Sequence, residues 1–271
     1  MPTREVVTPQ QKDSYRQEGY MILPGIIPPD TLTMLREECS YFVGYYDAQM
    51  DSAGVGVQGL NHRGKRYFIS MKYRLSHRLW RFVFSPLMAQ LTQAVLGPNV
   101  YLFYEQWVVK GAEQGMKFAW HQDSGYLVSS GNDAYCKPYL TCWCTLDDVS
   151  EANGTVYLLP HSRGGTRHKI FKHTKENATN DLVGFTGDDP GDPIIAPAGS
   201  IVAFTSYNLH RSGPNTTPNM RRVYLAQYSD EPIIRRDGCL QALAVPFLRD
   251  GRMVYDHADD SADRYGPVVD P

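Results

Sequence analysis

"VYLFYEQWVVKG" (residues 100–111) is where this 271-residue chain changes texture. Aromatic and β-branched residues dominate the stretch and a glycine closes it, which is the composition of a strand. Four later stretches have the same character: "YLTCWCTLDDV" (139–149), "GTVYLLP" (154–160), "GSIVAFTS" (199–206) and "RVYLAQYSD" (222–230). They are short, fairly evenly spaced and bounded by Gly, Pro, Asn or Asp, with no helical pattern between them. That spacing predicts a β-sandwich or barrel and argues against a parallel sheet with crossover helices.

Before residue 100 the chain reads as helices joined by loops. In "TPQQKDSYRQEGY", Thr8 is placed to cap a helix, Pro9 to occupy its first position and Gly19 to stop it. In "PDTLTMLREECSYFV" (29–43), Asp30 is the expected cap, and Leu32, Leu35, Cys39 and Phe42 draw one apolar stripe. A third helix fits "SPLMAQLTQAVLGP", with Ser85 capping, Leu87, Leu91 and Val95 on one face and Gly97 at its end. The glycine-rich stretch 51–65 reads as a surface loop; Arg66 after Gly64-Lys65 excludes a phosphate-binding P-loop. Residues 162–192 form a long polar insertion between two strands, a length typical of lids and binding loops. Without repeats or a low-complexity linker, the chain is expected to be one domain over 1–271. Its parts are a mostly helical 1–99, a β core over 100–230 and a covering segment over 231–271.

A net charge of −2 and 21% charged residues give no electrostatic reason to expect nucleic acid or an anionic membrane as partner. No apolar run approaches the ~20 residues of a membrane span, and the first residues lack a signal-peptide core, so a cytoplasmic location is expected. Five cysteines (Cys39, Cys136, Cys142, Cys144, Cys239) are an odd number without CxxC spacing. Reduced thiols are the simpler account, with Cys142 and Cys144 sharing one face of a strand.

"FAWHQDSGYL" (118–127) carries the chemistry. On a strand, His121 and Asp123 would project from one face and could hold two adjacent positions around a divalent metal. Taken alone, an HxD is as compatible with a structural hydrogen-bonded pair. A third donor comes 89 residues after His121: His210, ending a strand-like run before the turn Ser212-Gly213-Pro214-Asn215. Two histidines and one carboxylate can fill one face of an octahedron and leave three positions open, the facial triad of non-haem Fe(II) oxygenases. Arg221 follows 11 residues on. If its strand pairs with that of His210 as a hairpin, the guanidinium reaches the same cavity and can bind a carboxylate through two bonds. Metal at one end and arginine at the other suit a 2-oxo acid.

This order of motifs, HxD, a distal His in "HRSGPN" and an Arg 11 residues later, closely resembles the phytanoyl-CoA dioxygenase family of Fe(II)/2-oxoglutarate oxygenases. "TCWCTLDDVSEANGTVYLLPHSRGG" and "GYMILPGIIPPDTLTMLREEC" are similar to further segments of that family, and the likeness spans roughly residues 8 to 230. It implies an α+β, mainly β fold: a double-stranded β-helix (cupin-like jelly roll) with N-terminal helices packed on it. It also implies Fe(II), 2-oxoglutarate and O2 as cofactors, with His121, Asp123 and His210 as metal ligands. Arg221 would meet the cosubstrate carboxylate with Ser212 beside it. Trp143, Gln106 and Lys110 would lie near the cosubstrate or substrate, although core packing accounts for such a tryptophan as well. The halogenating relatives lack the carboxylate that Asp123 retains here, so hydroxylation or another oxidation is expected rather than halogenation.

Two other readings share the ligand set: a Zn(II)-dependent hydrolase or isomerase, and a binding or sensor protein without turnover. Neither needs an arginine at cosubstrate distance. The substrate is expected to be a small molecule, with Tyr104, Tyr126 and Arg211 as contact candidates. Arg63, Lys65, Arg163, Arg167, Lys169 and Lys172, in the loops expected at the cavity mouth, would favour an anionic substrate unless they are merely solvated. The other histidines (His62, His77, His161, His168, His173, His257) match no ligand position, and oligomeric state is left open.

Overall fold

The computed structural model describes residues 5–113, 115–129, 137–176, 179 and 181–266; Cys136 lies outside them. In chain order the helices are α1 (Pro9–Glu18), α2 (Pro29–Ala53), α3 (Leu79–Val83), α4 (Pro86–Leu96), α5 (Asp123–Ser129), α6 (His161–Gly164) and α7 (Ala262–Tyr265). The strands begin with β1 (Tyr20–Leu23), β2 (Val57–Gln58), β3 (Asn61–His62), β4 (Arg66–Ser70), β5 (Val100–Lys110) and β6 (Phe118–His121). They continue with β7 (Leu140–Thr145), β8 (Val156–Leu159), β9 (Thr174–Lys175), β10 (Leu182–Val183), β11 (Asp192–Pro193) and β12 (Ile201–Thr205). β13 (Leu209–Ser212), β14 (Arg221–Ser229), β15 (Val245–Arg249) and β16 (Arg252–Met253) complete the set.

Helix ends follow their capping chemistry. Thr8 and Gln11 exchange side-chain-to-backbone hydrogen bonds at the start of α1, and Gly19 closes it at φ 84°. Ser85 accepts from the Met88 N–H at the start of α4. For α2 the expectation shifts: Pro28 stands at the cap, and Asp30 sits inside the first turn, where its charge favours the positive helix end. This helix also runs ten residues past Val43, because Tyr46 and Met50 prolong the buried stripe of Leu35, Cys39 and Phe42. The expected loop over 51–65 thus begins as helix and then carries the β2–β3 hairpin.

Two antiparallel sheets form the sandwich. The large one has the order β1-β12-β7-β14-β5-β4-β3-β2, with β15 on the edge of β5 that β4 leaves free; the small one is β11-β8-β13-β6. Side chains alternate across the large sheet. Cys142, Cys144, Trp107, Tyr224 and Ala203 face the helices in the main core, while Trp143, Val202, Phe204, Val223 and Leu225 meet Val156 and Leu158 of the small sheet. The N-terminal part is therefore not only helical, since β1 and β4 join the large sheet. Likewise the C-terminal segment does more than cover it: Val245, Phe247 and Leu248 of β15 are core residues. A second correction concerns Arg221. β13 and β14 belong to different sheets and do not pair as a hairpin, so His210 and Arg221 approach each other across the sandwich. Among the described residues no helix is long and apolar enough to cross a membrane.

Candidate metal centre and its two cavities

β6 ends at His121, and Asp123 opens α5, so the two side chains converge through a strand-to-helix turn and not through the alternation of one strand. The reason lies in the residue between them. Gln122 is fully buried; its amide donates to Lys169 O (2.8 Å) and Tyr207 O (2.7 Å) and accepts from Phe171 N–H (2.6 Å). These bonds to neighbouring segments fix the turn. His210 of β13 stands directly opposite His121 of β6 in the antiparallel register, with ring centroids 4.0 Å apart.

Each histidine is oriented by a main-chain carbonyl: His121 Nδ1 lies 2.9 Å from Ala119 O and His210 Nδ1 3.1 Å from Asn208 O. A carbonyl only accepts, so Nδ1 carries the hydrogen in both and Nε2 keeps its lone pair. Burial, with His210 alongside, holds His121 well below the usual histidine range and therefore neutral. Asp123 Oδ1 is 3.8 Å from His121 Nε2 and 3.5 Å from His210 Nε2, while Oδ2 accepts from Thr141 (2.6 Å) and Gln227 (2.9 Å). One ligand atom from each of the three residues lies within 4.8 Å of the others. Two imidazole nitrogens and a carboxylate oxygen, each oriented by a second hydrogen bond, fit a divalent transition metal.

From this cluster a cavity runs between the sheets to Arg221, past Trp143, Ser212, Arg211, Lys110 and Gln106. Arg221 is 1% exposed; its Nη2 donates to Gly154 O (3.0 Å) and its Cζ lies 5.5 Å from the Trp143 ring centre. Its Nε and Nη1 are buried without a hydrogen-bond partner. Burial pushes the guanidinium down to about 10, still protonated at neutral pH. A buried cation with two unfilled donors wants a carboxylate, which fits the far end of a dicarboxylic 2-oxo acid. Lys110 is differently placed: its ammonium donates to Met116 O and to Gly213 O (2.7 Å), so it braces the turns around the cavity.

A second cavity of about 260 Å³ meets the first at His121, Asp123, Phe68, Gln106 and Phe118 and is lined further by Tyr104 and Tyr126 among others. Arg211, paired with those tyrosines as a contact candidate, instead stacks on Tyr157 (3.8 Å) at the Arg221 end. Nor do the loop cations reach either cavity. Arg163 pairs with Asp189 and Asp192, Arg63 with Asp51, and Arg167 bonds Gln17 O. The 162–192 insertion packs behind the metal turn: Asp181 forms a buried ion pair with Arg66 (3.0 Å), and His173 accepts from the Gln122 N–H (2.9 Å). Sequence reasoning missed Thr141, Gln227, Gln122 and His173. Gln227 is signalled only by lying six residues after Arg221, in phase on β14.

Two sheets closing on a two-histidine, one-carboxylate cluster beside a buried arginine define a non-haem iron oxygenase of the jelly-roll type. The sequence profile of the phytanoyl-CoA dioxygenase family matches residues 15–223, and the chain belongs to that family. Ectoine dioxygenase of Bordetella parapertussis (strain 12822) is 25% identical over 228 residues, covering 79% of this chain and 72% of that protein. Among solved structures, the non-haem α-ketoglutarate-dependent carbocyclase SnoK from nogalamycin biosynthesis superposes with a TM-score of 0.63 at 18% identity, covering 86% of this chain and 87% of its own. EvdO2 from Micromonospora carbonacea var. aurantiaca, solved with 2-oxoglutarate, gives 0.62 at 21% identity, covering 84% and 93%. The protein is an Fe(II)- and 2-oxoglutarate-dependent dioxygenase, with iron, 2-oxoglutarate and O2 as its cofactors.

Proposed function

We propose that His121, Asp123 and His210 hold the iron, that Arg221 anchors the distal carboxylate of 2-oxoglutarate with Ser212 and Trp143 beside it, and that the enzyme hydroxylates a small molecule. The observation that carries this reading is one cavity with three free metal-ligand atoms at one end and a buried, partly unpartnered guanidinium at the other. A hydrolytic Zn(II) site or a passive sensor has no use for that guanidinium. Iron with 2-oxoglutarate supplies O2 activation, with succinate and CO2 released as the substrate C–H bond is oxidised. This chain's residues orient the ligands, neutralise the cosubstrate and exclude water: the walls between the sheets are Phe68, Val108, Phe118, Val156, Phe204 and Leu225.

Asp123 favours hydroxylation over halogenation, because its Oδ1 occupies the position that a halide would need, and Thr141 and Gln227 keep it there. Anaerobic titration of metal-free protein with Fe(II) and then 2-oxoglutarate tests the assignment. A visible metal-to-ligand charge-transfer band is expected, and it is lost in His210→Ala and Arg221→Leu. Tight metal binding without the band, or the band unchanged in both variants, would overturn it.

A further inference from the structure

Charge is distributed unequally between the two cavities that meet at the proposed iron ligands. The cavity toward Arg221 is lined by Arg66, Lys110, Arg211 and Arg221; Arg66 is already paired with Asp181, and Arg221 keeps two buried donors unfilled for an anionic cosubstrate. The adjoining cavity of about 260 Å³ has among its described lining residues no Lys, no Arg and no carboxylate but Asp123. Its hydrogen-bonding groups are phenols and carboxamides: Tyr104, Tyr126, Tyr139, Gln106, Gln227 and Gln241. Through Leu60, Phe68, Tyr104 and Gln106 it continues into a further cavity of about 200 Å³, where Tyr46, Gln49, Gln58 and Asn61 extend the same neutral lining.

We propose that this second cavity is the substrate site and that it takes an uncharged, ring-containing molecule bearing several hydroxyl, ether or carbonyl oxygens. The inference rests on the oxygenase reading above and adds the class of substrate to it. Three arguments support it. First, burying a carboxylate, phosphate or ammonium where no lining side chain offers a countercharge is unfavourable. The single carboxylate is no exception, since Asp123 is turned toward the two histidines and held by Thr141 and Gln227. Secondly, carboxamides and phenols both donate and accept, so they match hydroxyls and carbonyls without demanding charge. Thirdly, the apolar part of the lining is aromatic, with Phe68, Phe103 and Phe118 offering flat faces to a ring. The combined space falls in the lower half of the ~300–1,000 Å³ usual for small-molecule sites. None of the neighbouring loop cations lines either part of this space, and Arg63 and Arg163 are paired with Asp51, Asp189 and Asp192.

The test uses the full chain loaded with Co(II) and saturated with 2-oxoglutarate, so that the Arg221 cavity is filled. A library of several hundred fluorinated fragments, in which neutral polyhydroxylated or carbonyl-bearing rings are matched with carboxylate, phosphate and ammonium analogues, is screened by fluorine NMR. Paramagnetic relaxation from Co(II) reports which fragments sit beside the metal. Neutral oxygenated rings are expected to be relaxed, with their charged analogues roughly tenfold or more weaker. Equal or stronger relaxation of the charged members would overturn the proposal, and so would a library in which nothing approaches the metal. The Co(II) spectrum and its response to 2-oxoglutarate are recorded first. If cobalt or cosubstrate fails to bind, it is the oxygenase assignment that falls, which keeps the two failures apart.

Discussion

His173 is the side chain whose replacement best separates packing from metal positioning. Its Nδ1 lies 2.8 Å from Phe171 O, so Nε2 is bare and accepts the Gln122 N–H at 2.9 Å. Gln122 is the single residue between His121 and Asp123, so this bond acts on both proposed ligands at once. The ring is also wedged between two glycines: a Cβ on Gly125 or on Gly184 would overlap it. His173→Phe keeps a ring in that slot and removes the acceptor, leaving a buried backbone N–H unpaired at a cost of about 1–3 kcal/mol. If that cost falls on ligand geometry, divalent metal affinity drops roughly 10- to 100-fold, the usual range for lost outer-shell partners. His173→Gln supplies an amide oxygen as an alternative acceptor and should recover most of the loss. Co(II) titration calorimetry on the two variants, with melting temperature as control, gives the answer. Unchanged Co(II) affinity in His173→Phe, whatever its melting temperature, would show that the ring only fills space.

Three further outcomes are expected. Arg221→Leu should weaken 2-oxoglutarate binding by roughly two orders of magnitude or more, leaving Co(II) affinity unchanged, because a buried charge partner is removed and no metal ligand is; equilibrium binding measures both. Asp181→Ala should cost about 3–5 kcal/mol in denaturant unfolding, since it strands the buried Arg66, whereas the Arg66→Met, Asp181→Leu double variant should recover much of it. Glu105, buried on the helix side of β5, is pushed up by desolvation from its ordinary 4.5 to about 7. The folded state therefore holds a proton that the unfolded chain has released, and the stability it contributes is full below about 4.5 and is lost as pH rises through about 7. That is about 3 kcal/mol. Glu105→Gln should flatten this slope in a series of melting curves between the two pH values, and an unchanged slope would refute the assignment.

The fold was legible where local chemistry decides it. Five strand-like stretches became β5, β7, β8, β12 and β14, and the caps at Thr8 and Ser85 and the stops at Gly19 and Gly97 stand where their side chains and glycines require. What the sequence did not reveal was recruitment over long range. Tyr20–Leu23 is too short to announce itself, and it is a strand because β12 offers an unpaired edge. Val245–Arg249 likewise uses the part of β5 that β4 leaves free. Asp30 misled for a local reason: the Pro28–Pro29 pair sets the backbone for helix entry two positions earlier, without a capping side chain.

The site shows the same division more sharply. His121, Asp123, His210 and Arg221, which the structure brings to one cavity, could be picked out because the roles proposed for them demand particular residue types, and few candidates exist. Their geometry was misjudged because it is not local. The HxD works through a bend whose cause, Gln122, draws its partners from residues 169, 171 and 207. Arg221 reaches the cavity from the opposite sheet. Thr141 and Gln227, the pair that fixes Asp123, sit directly across from each other on β7 and β14, a register visible only once the sheet is formed. The substrate side follows the same logic in reverse. The arginines and lysines of the flanking loops suggested an anionic ligand by their nearness in sequence, yet none of them lines the cavity and two, Arg63 and Arg163, are tied to acids on the surface, while the polar residues that do line it include tyrosines and glutamines scattered from position 104 to 241. Charge that is already paired does not recruit a ligand, so under the proposed assignment the cavity's own neutral lining, and not the composition of its neighbouring loops, selects the substrate.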